Sequence, residues 1–184
     1  MVFFDYILLA KVNMRKTTMH ATQLLDTHLY KTCQGIHQKR WKALMAMVTA
    51  LTRGKKLSVT GLGRSLKNSV YEKHNIKRAD RLVGNMTLNQ ERCMIYQALA
   101  KQIIGQQKHP VILIDWSDLS TGRKFNLLRA SLPVGGRAIT LYDESHPQKK
   151  LNNPEVEKQF LKKLHEILPS NCRPIRISRT PTLL

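Results

Sequence analysis

Acidic residues are scarce in this sequence. Only 12 Asp and Glu stand against 31 Lys and Arg in 184 residues, which gives a formal net charge of +19 and an isoelectric point near 10.3. A surface balanced in charge is therefore excluded, and surplus charge without a specific partner stays as one alternative. A surplus of this size favours a polyanionic partner, most often nucleic acid, with an anionic membrane surface as the next alternative.

Cysteine and long apolar runs are also scarce. The three cysteines, Cys33, Cys93 and Cys172, are odd in number, far apart and without a Cys-x-x-Cys pair. This spacing argues against a disulfide framework and a zinc knuckle, and favours a reducing, cytosolic compartment. No run of 18 apolar residues occurs, so no membrane anchor or membrane partner is expected.

Residues 1–19 are interpreted as an N-terminal extension. The stretch is apolar, but Asp5 interrupts it and it lacks the basic leader and cleavage site of a signal peptide. We expect a frayed strand or short helix, and Met19 is an alternative start.

Charge and hydrophobic period divide the remaining chain into two regions. Residues 1–108 hold 19 Lys and Arg against 5 acids, whereas residues 109–184 hold 12 against 7. Apolar residues at spacings of three and four predict helices over 21–33, 36–52, 58–66, 73–83 and about 87–105. The apolar faces expected are Leu24, Leu25, Leu29 and Tyr30 in the first helix, Trp41, Leu44, Met45, Val48 and Leu51 in the second, and Ile76, Ala79, Leu82 and Val83 in the fourth. Thr87 and Gln90 have the spacing of a capping box at the start of the fifth. The sequence therefore predicts a helical DNA-binding region over 20–108, with a boundary near 105–110.

In the second region the sequence pattern is mainly that of β-strands. β-Branched and alternating segments predict strands at 111–115, 124–132 and 137–142, with Gly135-Gly136 in a hairpin turn. Pro154 opens a predicted helix over 154–168, and 174–178 starts a last strand. The fold class expected is α+β, with helices followed by three antiparallel strands, one helix and one strand.

Cations cluster on the predicted helix over 73–83. Lys73, Lys77 and Arg81 recur every fourth residue, which places them on one stripe of a helix. The full set expected to contact DNA comprises Lys55, Lys56, Arg64, Lys67, Lys73, His74, Lys77, Arg78 and Arg81. The preceding helix and a long polar connection make a loose helix-turn-helix outline. The alternative is a solvated helix face, in which cations usually alternate with acids.

A carboxylate follows the apolar run of the first predicted strand, in VILIDWSDLS (111–120). Asp115 at a strand end is a candidate ligand for magnesium, which prefers carboxylate oxygens. Two-metal phosphoryl transfer needs further carboxylates, so one Asp is insufficient. A strand-terminal Asp is more often a helix cap or a turn former.

Residues 19–178 resemble the DDE transposases of bacterial insertion sequences, in the insertion-sequence-four family. The resemblance rests on KHNIKRADRLVGN (73–85), VILIDWSDLS (111–120), LRASLPVGGRAITLYDE (128–144) and ILPSN (167–171), which are ordered and correctly spaced. It implies an N-terminal helical DNA-binding region and a ribonuclease-H-like catalytic core. Asp115 would be the first catalytic carboxylate and a magnesium ligand, whereas Asp118 is not one of the three.

The resemblance also implies an activity and a partner. The family cleaves and rejoins phosphodiesters at transposon ends with two magnesium ions, by cut-and-paste through a hairpin intermediate. Double-stranded DNA of transposon ends is the partner implied, and an intact transposase chain is a second. A bacterial cytoplasmic, nucleoid-associated location is expected.

This sequence departs from the family where the second carboxylate should follow the fourth strand. Alignment from Pro174 places Arg179 there, and the third carboxylate, a downstream Glu, does not follow before Leu184. We therefore expect an N-terminal part of a transposase with an incomplete core. Three hypotheses stay open: an enzyme completed by frameshifting or another chain, a DNA-binding product that inhibits intact transposase, and an inert pseudogene product.

Overall fold

The computed structural model describes residues 18–53, 57–119, 122 and 124–178. Most of the predicted extension over 1–19, together with Lys55, Lys56 and Arg179, lies outside these residues. The chain forms two compact units, the first ending at Ile95 and the second beginning at Tyr96. This division falls inside a helix, earlier than the expected boundary near 105–110. The functional regions 20–108 and 109–184 stay predictions.

The described residues form six α-helices and a four-stranded mixed sheet, which confirms the α+β class. The helices before the sheet are α1 (Thr18–Thr32), α2 (Gln38–Arg53), α3 (Val59–Ser65), α4 (Glu72–Val83) and α5 (Met86–Ile104). Each lies within a few residues of a helix predicted from the sequence. The first half of α5 belongs to the first unit and its second half to the second.

Helix α2 supplies much of the first unit's core. Its predicted apolar stripe is buried, including Trp41 and Val48, because these residues recur at helical spacing on one face. The Trp41 indole donates a hydrogen bond to the Asp26 carboxylate of α1 at 2.6 Å. The expectation for α1 is only partly right. Leu29 is buried, but Leu24 and Tyr30 are exposed, because α1 buries only a narrow stripe through Thr22 and Leu29.

Helices α3 and α4 cross at very short range. A Cβ atom added to Gly63 would lie 2.5 Å from Ile76 Cα and 2.6 Å from its backbone nitrogen, so only glycine permits this approach. Leu62 and Ala79 are buried on the facing sides. Ala79 was expected to point inward and does so, whereas Val83, also expected inward, is exposed at the last turn of α4.

The second unit is built on a sheet with strand order β3-β2-β1-β4. The strands are β1 (Val111–Asp118), β2 (Phe125–Val134), β3 (Arg137–Pro147) and β4 (Ile175–Ser178). The first three are antiparallel, as predicted, and Gly135 and Gly136 form the β2–β3 turn with φ of 56° and 77°. Such positive φ values suit a two-residue hairpin turn and favour glycine. Strand β4 pairs with β1 in parallel.

Helix α6 (Pro154–Ile167) joins β3 to β4, after a short 3₁₀ turn at Gln148–Lys150. It begins where predicted, because Pro154 is at its first turn and the Asn153 side chain accepts hydrogen bonds from two backbone N–H groups. Phe160 and Leu164 are buried in the core with Tyr142 of β3, whose ring stacks on Phe160 at a centroid distance of 5.1 Å.

The crossing of α3 and α4 predicts a sensitive position. Replacing Gly63 with Ala should destabilise the first unit by about 1–3 kcal/mol, because the new methyl group meets Ile76 backbone atoms that cannot move aside. Equilibrium urea unfolding followed by far-ultraviolet circular dichroism measures the loss.

The matched control is Gly84→Ala. Gly84 has φ of −82°, and an added Cβ would meet only the Asp80 carbonyl oxygen at 3.6 Å, so this change should be nearly neutral. Equal unfolding midpoints for the two variants would contradict the close crossing.

Candidate nucleic-acid interface and strand-end carboxylate

Helix α4 turns its cations to solvent. Asn75 and Ala79 are buried, so the opposite side of the helix is outermost. The five residues that we call the basic face are all exposed: Lys73, His74, Lys77, Arg78 and Arg81. On α4 only Glu72 and Asp80 carry negative charge. The basic face is therefore a set of exposed basic side chains that a polyanion can reach.

Two further predicted cations differ in their surroundings. Lys67, in the connection between α3 and α4, is exposed. Arg64 is also exposed, but its Nε donates to the Glu72 carboxylate at 2.8 Å. Glu72 therefore offsets part of the charge that Arg64 would offer to a phosphate. The remaining two, Lys55 and Lys56, lie outside the described residues.

The connection before α4 is fixed by a pair of asparagines. The side chains of Asn68 and Asn75 donate hydrogen bonds to each other, at 3.1 and 2.9 Å. Asn68 Oδ1 also accepts from the Val70 backbone N–H at 3.0 Å, and the Asn75 amide donates to the Val70 carbonyl at 3.3 Å. The sequence predicted only a polar connection for this segment. Asn75, a neutral residue among the cations of KHNIKR, was the available signal.

Asp115 lies in β1, three residues before its end, and is half-buried. Its cross-strand neighbour on β2 is Arg129, whose neighbour on β3 is Asp143. Cross-strand neighbours point to the same side of a sheet. The three residues therefore form a row of acid, base and acid across β1, β2 and β3, which the sequence pattern did not predict.

Asp143 is the most buried member of this row, at 1% exposure. The Tyr96 hydroxyl donates to one of its oxygens at 2.7 Å, and Arg129 Nε lies 4.0 Å from the other. Buried carboxylates need such partners, because an isolated charge is costly away from water. The contacts assign Asp143 a structural role in holding α5 and β2 to β3.

The residues around Asp115 do not by themselves make a magnesium site. In the described part of the chain, no three carboxylate, histidine or cysteine side chains come together in a group that could hold a metal ion. The neighbour of Asp115 across the strand is a cation, Arg129. Magnesium requires several oxygen ligands in octahedral geometry, so Asp115 supplies one at most.

Asp115 is followed by a residue with a firmly fixed side chain. The Trp116 indole donates to Glu157 of α6 at 2.9 Å, and its ring meets His146 of β3 edge-on, with centroids 5.7 Å apart. His146 Nε2 in turn lies 3.1 Å from Glu144 Oε2. Lys163 of α6 donates to the Glu144 carboxylate at 2.6 Å. The Tyr142 hydroxyl also donates a hydrogen bond to this carboxylate. This network fastens α6 to the end of the sheet beside Asp115.

Strand β4 approaches β1 from the other side. Its last described pair brings Ser178 beside Ile114, one residue before Asp115. Arg179, the position aligned with the family's second carboxylate, lies outside the described residues.

Comparison with known proteins adds no assignment: no family model, curated protein or solved structure matches the chain. Within residues 18–53, 57–119, 122 and 124–178, no helix is long and apolar enough to cross a membrane.

The network around Glu144 predicts an acid-sensitive second unit. Burial tends to raise the pKa of Glu144, but hydrogen bonds from Lys163 and Tyr142 and the charges of Lys163 and His146 together hold it below its ordinary value of 4.5. A lowered pKa in the folded state stabilises the fold above pH 4.5, and that stabilisation is lost as the pH falls toward the folded-state pKa.

Glu144→Gln should therefore lower the free energy of unfolding at pH 7 by about 1–3 kcal/mol and flatten its decline below pH 4.5. Urea unfolding at pH 7 and pH 4, followed by Trp116 fluorescence in a Trp41→Phe background, tests this expectation. Glu166→Gln, at an exposed position of α6, is the control. A Glu144→Gln profile parallel to that of the unaltered chain would refute it.

Proposed function

We propose that this chain binds double-stranded DNA through the basic face of α4, and that it is part of a DDE transposase. In this proposal the second unit is the beginning of a ribonuclease-H-like core that carries Asp115. The DNA bound would be the ends of a transposon, in the bacterial cytoplasm. The chain would bind DNA but would not cleave it alone.

The single observation that carries the DNA-binding part is the exposed basic face. Five basic side chains lie within nine residues of one helix, and of the two acids on that helix Glu72 is paired with Arg64, which leaves Asp80 as the acid beside the basic face. Contacts from Lys and Arg to phosphates release counterions, which makes such binding strong at low salt and steeply salt-dependent. A face that served only solubility would mix both charge signs.

The transposase part is supported by where the resembling segments lie. KHNIKRADRLVGN spans α4 and its end, and VILIDWSDLS spans β1 with Asp115 in its second half. Three antiparallel strands, a helix and a fourth strand follow one another in the order that the resemblance implies. Strand β4 runs parallel to β1, its last described pair joins Ser178 to Ile114, one residue before Asp115, and in that family the second carboxylate follows the fourth strand.

The same neighbourhood argues against cleavage by this chain alone. The cross-strand neighbour of Asp115 is Arg129, and alignment places another arginine, Arg179, where a carboxylate is needed. Cations at these positions oppose a divalent metal ion through direct repulsion. Magnesium would bind productively only if other residues, from another chain or a recoded product, supplied further carboxylates. A DNA-bound chain without activity would compete with an intact transposase for the same ends.

Removing two cations from the basic face tests DNA binding. Lys77→Ala with Arg81→Ala should weaken binding to a 30-base-pair duplex by about one to two orders of magnitude and reduce the slope of log affinity against log salt by about 2. Fluorescence anisotropy over a salt series measures both quantities.

The matched control is Lys158→Ala with Lys162→Ala, two exposed lysines at the same four-residue spacing on α6. It removes the same formal charge from another helix and should change the slope by less. An equal loss in both double variants would show that net charge, and not the basic face, governs binding.

A second prediction concerns cleavage. With magnesium, the chain should leave supercoiled and linear duplex DNA intact, and Asp115→Asn should behave the same way. Gel electrophoresis of the DNA after incubation measures this. Magnesium-dependent cleavage that disappears in Asp115→Asn would overturn the claim of inactivity and would establish Asp115 as a catalytic residue.

A further inference from the structure

Two apolar side chains project into solvent beside the basic face. Val70 is 49% exposed and Tyr71 is 79% exposed, and together we call them the apolar tip. Tyr71 occupies the position just before α4, but its side chain makes no hydrogen bond to the helix backbone. Capping of α4 therefore does not explain why a tyrosine stands there.

The backbone that carries the apolar tip is held firmly. The Val70 N–H donates to Asn68, and the Val70 carbonyl accepts from Asn75, which is only 4% exposed. A single exposed apolar residue needs no explanation on a protein surface. Val70 and Tyr71 are consecutive exposed apolar residues, and a buried asparagine fixes their backbone. Their positions are therefore set before any partner binds.

Basic residues flank the apolar tip along the chain. The Tyr71 ring meets His74 edge-on with centroids 6.4 Å apart, and Lys73 and Lys67 lie two residues after and four residues before Tyr71. The only acid in the first turn of α4 is Glu72, which is bound to Arg64. A partner for this surface must therefore offer dense negative charge together with apolar or aromatic surface within a few ångströms.

Duplex DNA offers that combination in its major groove, where phosphates flank the exposed 5-methyl groups of thymine. Phosphate contacts position a protein but carry no sequence information directly, whereas apolar contacts with thymine methyl groups do. The residues of the basic face are suited to the first task. The apolar tip is suited to the second.

We propose that Tyr71 is a specificity-determining residue that contacts a thymine methyl group in the major groove, with Val70 beside it. This inference rests on the proposed DNA binding by α4 and adds which residue reads sequence. It assigns positioning on the backbone to Lys73, Lys77 and Arg81, and base discrimination to the apolar tip.

The experiment starts from a pool of duplexes with 20 random base pairs. The full chain selects bound duplexes from this pool at about 150 mM salt, and the enriched sequence is determined. Each thymine of that sequence is then replaced by deoxyuridine, which lacks only the methyl group. Affinities are measured for the unaltered chain and for Tyr71→Ala, Tyr71→Phe and the control Val83→Ala.

Val83 is a matched control, because it is exposed to 61% on the same helix, about 18 Å from Tyr71 along the axis. At one thymine, deoxyuridine should weaken binding of the unaltered chain by about four-fold, the effect of one lost methyl contact. The same loss is expected for Tyr71→Phe and Val83→Ala. Tyr71→Ala should show no loss there, and its salt dependence should match that of the unaltered chain.

Other outcomes overturn the inference in distinguishable ways. If Tyr71→Ala remains as sensitive to deoxyuridine as the unaltered chain, Tyr71 does not contact the methyl group. If the pool is bound with steep salt dependence but no sequence is enriched, the apolar tip does not read bases, while DNA binding stands. If single-stranded oligonucleotides are preferred, the ring stacks on bases instead. If no duplex is bound at all, the proposed function fails together with this inference.

Discussion

The crossing of α3 and α4 at Gly63 decides which side of α4 reaches solvent. Because the backbones meet without an intervening side chain, α4 has little freedom to rotate about its axis. Ala79 is consequently buried, and Lys77 and Arg81 point away from the core. The Asn68–Asn75 pair adds a second constraint, because it fixes where the chain enters α4. Preorganisation of this kind lowers the entropy lost when a partner binds.

Charge is arranged differently in the two units. In the first unit the basic face of α4 is exposed, and Arg40 forms an ion pair with Glu91 that joins α2 to α5. In the second unit the buried acids Asp143 and Glu144 are each met by hydroxyl or cationic groups from other elements. The exposed cations of the first unit are accessible to an anionic ligand. The contacts of the buried acids in the second unit instead hold helices on the sheet.

The sequence was sufficient to predict the elements, because their hydrophobic periods are regular. It could not predict contacts that depend on pairing. A hairpin centred on Gly135-Gly136 in regular register would pair Arg129 with Tyr142, but a bulge between Ala130 and Ser131 shifts that partner to Asp143.

The start of α5 was predicted wrongly from local side-chain chemistry. Thr87 and Gln90 suggested a capping box for α5, yet the Asn85 side chain accepts the backbone hydrogen bond from Leu88. For the candidate interface, the predicted basic residues that the structure describes are exposed, whereas their contact with DNA stays a prediction. The apolar tip was missed because its exposure depends on the fixed loop.

Strand β4 has a consequence for handling the protein. It lies at one end of the sheet, and Ile175 and Ile177 are half exposed along it, with Arg176 between them. An edge of this kind is a template for strand addition by a second molecule, and charged residues such as Arg176 oppose it by mutual repulsion. Salt screens that repulsion. Raising the ionic strength therefore favours self-association through this edge, so colloidal stability declines as salt is added and a low-salt buffer serves storage. The proposed DNA binding would weaken under the same conditions.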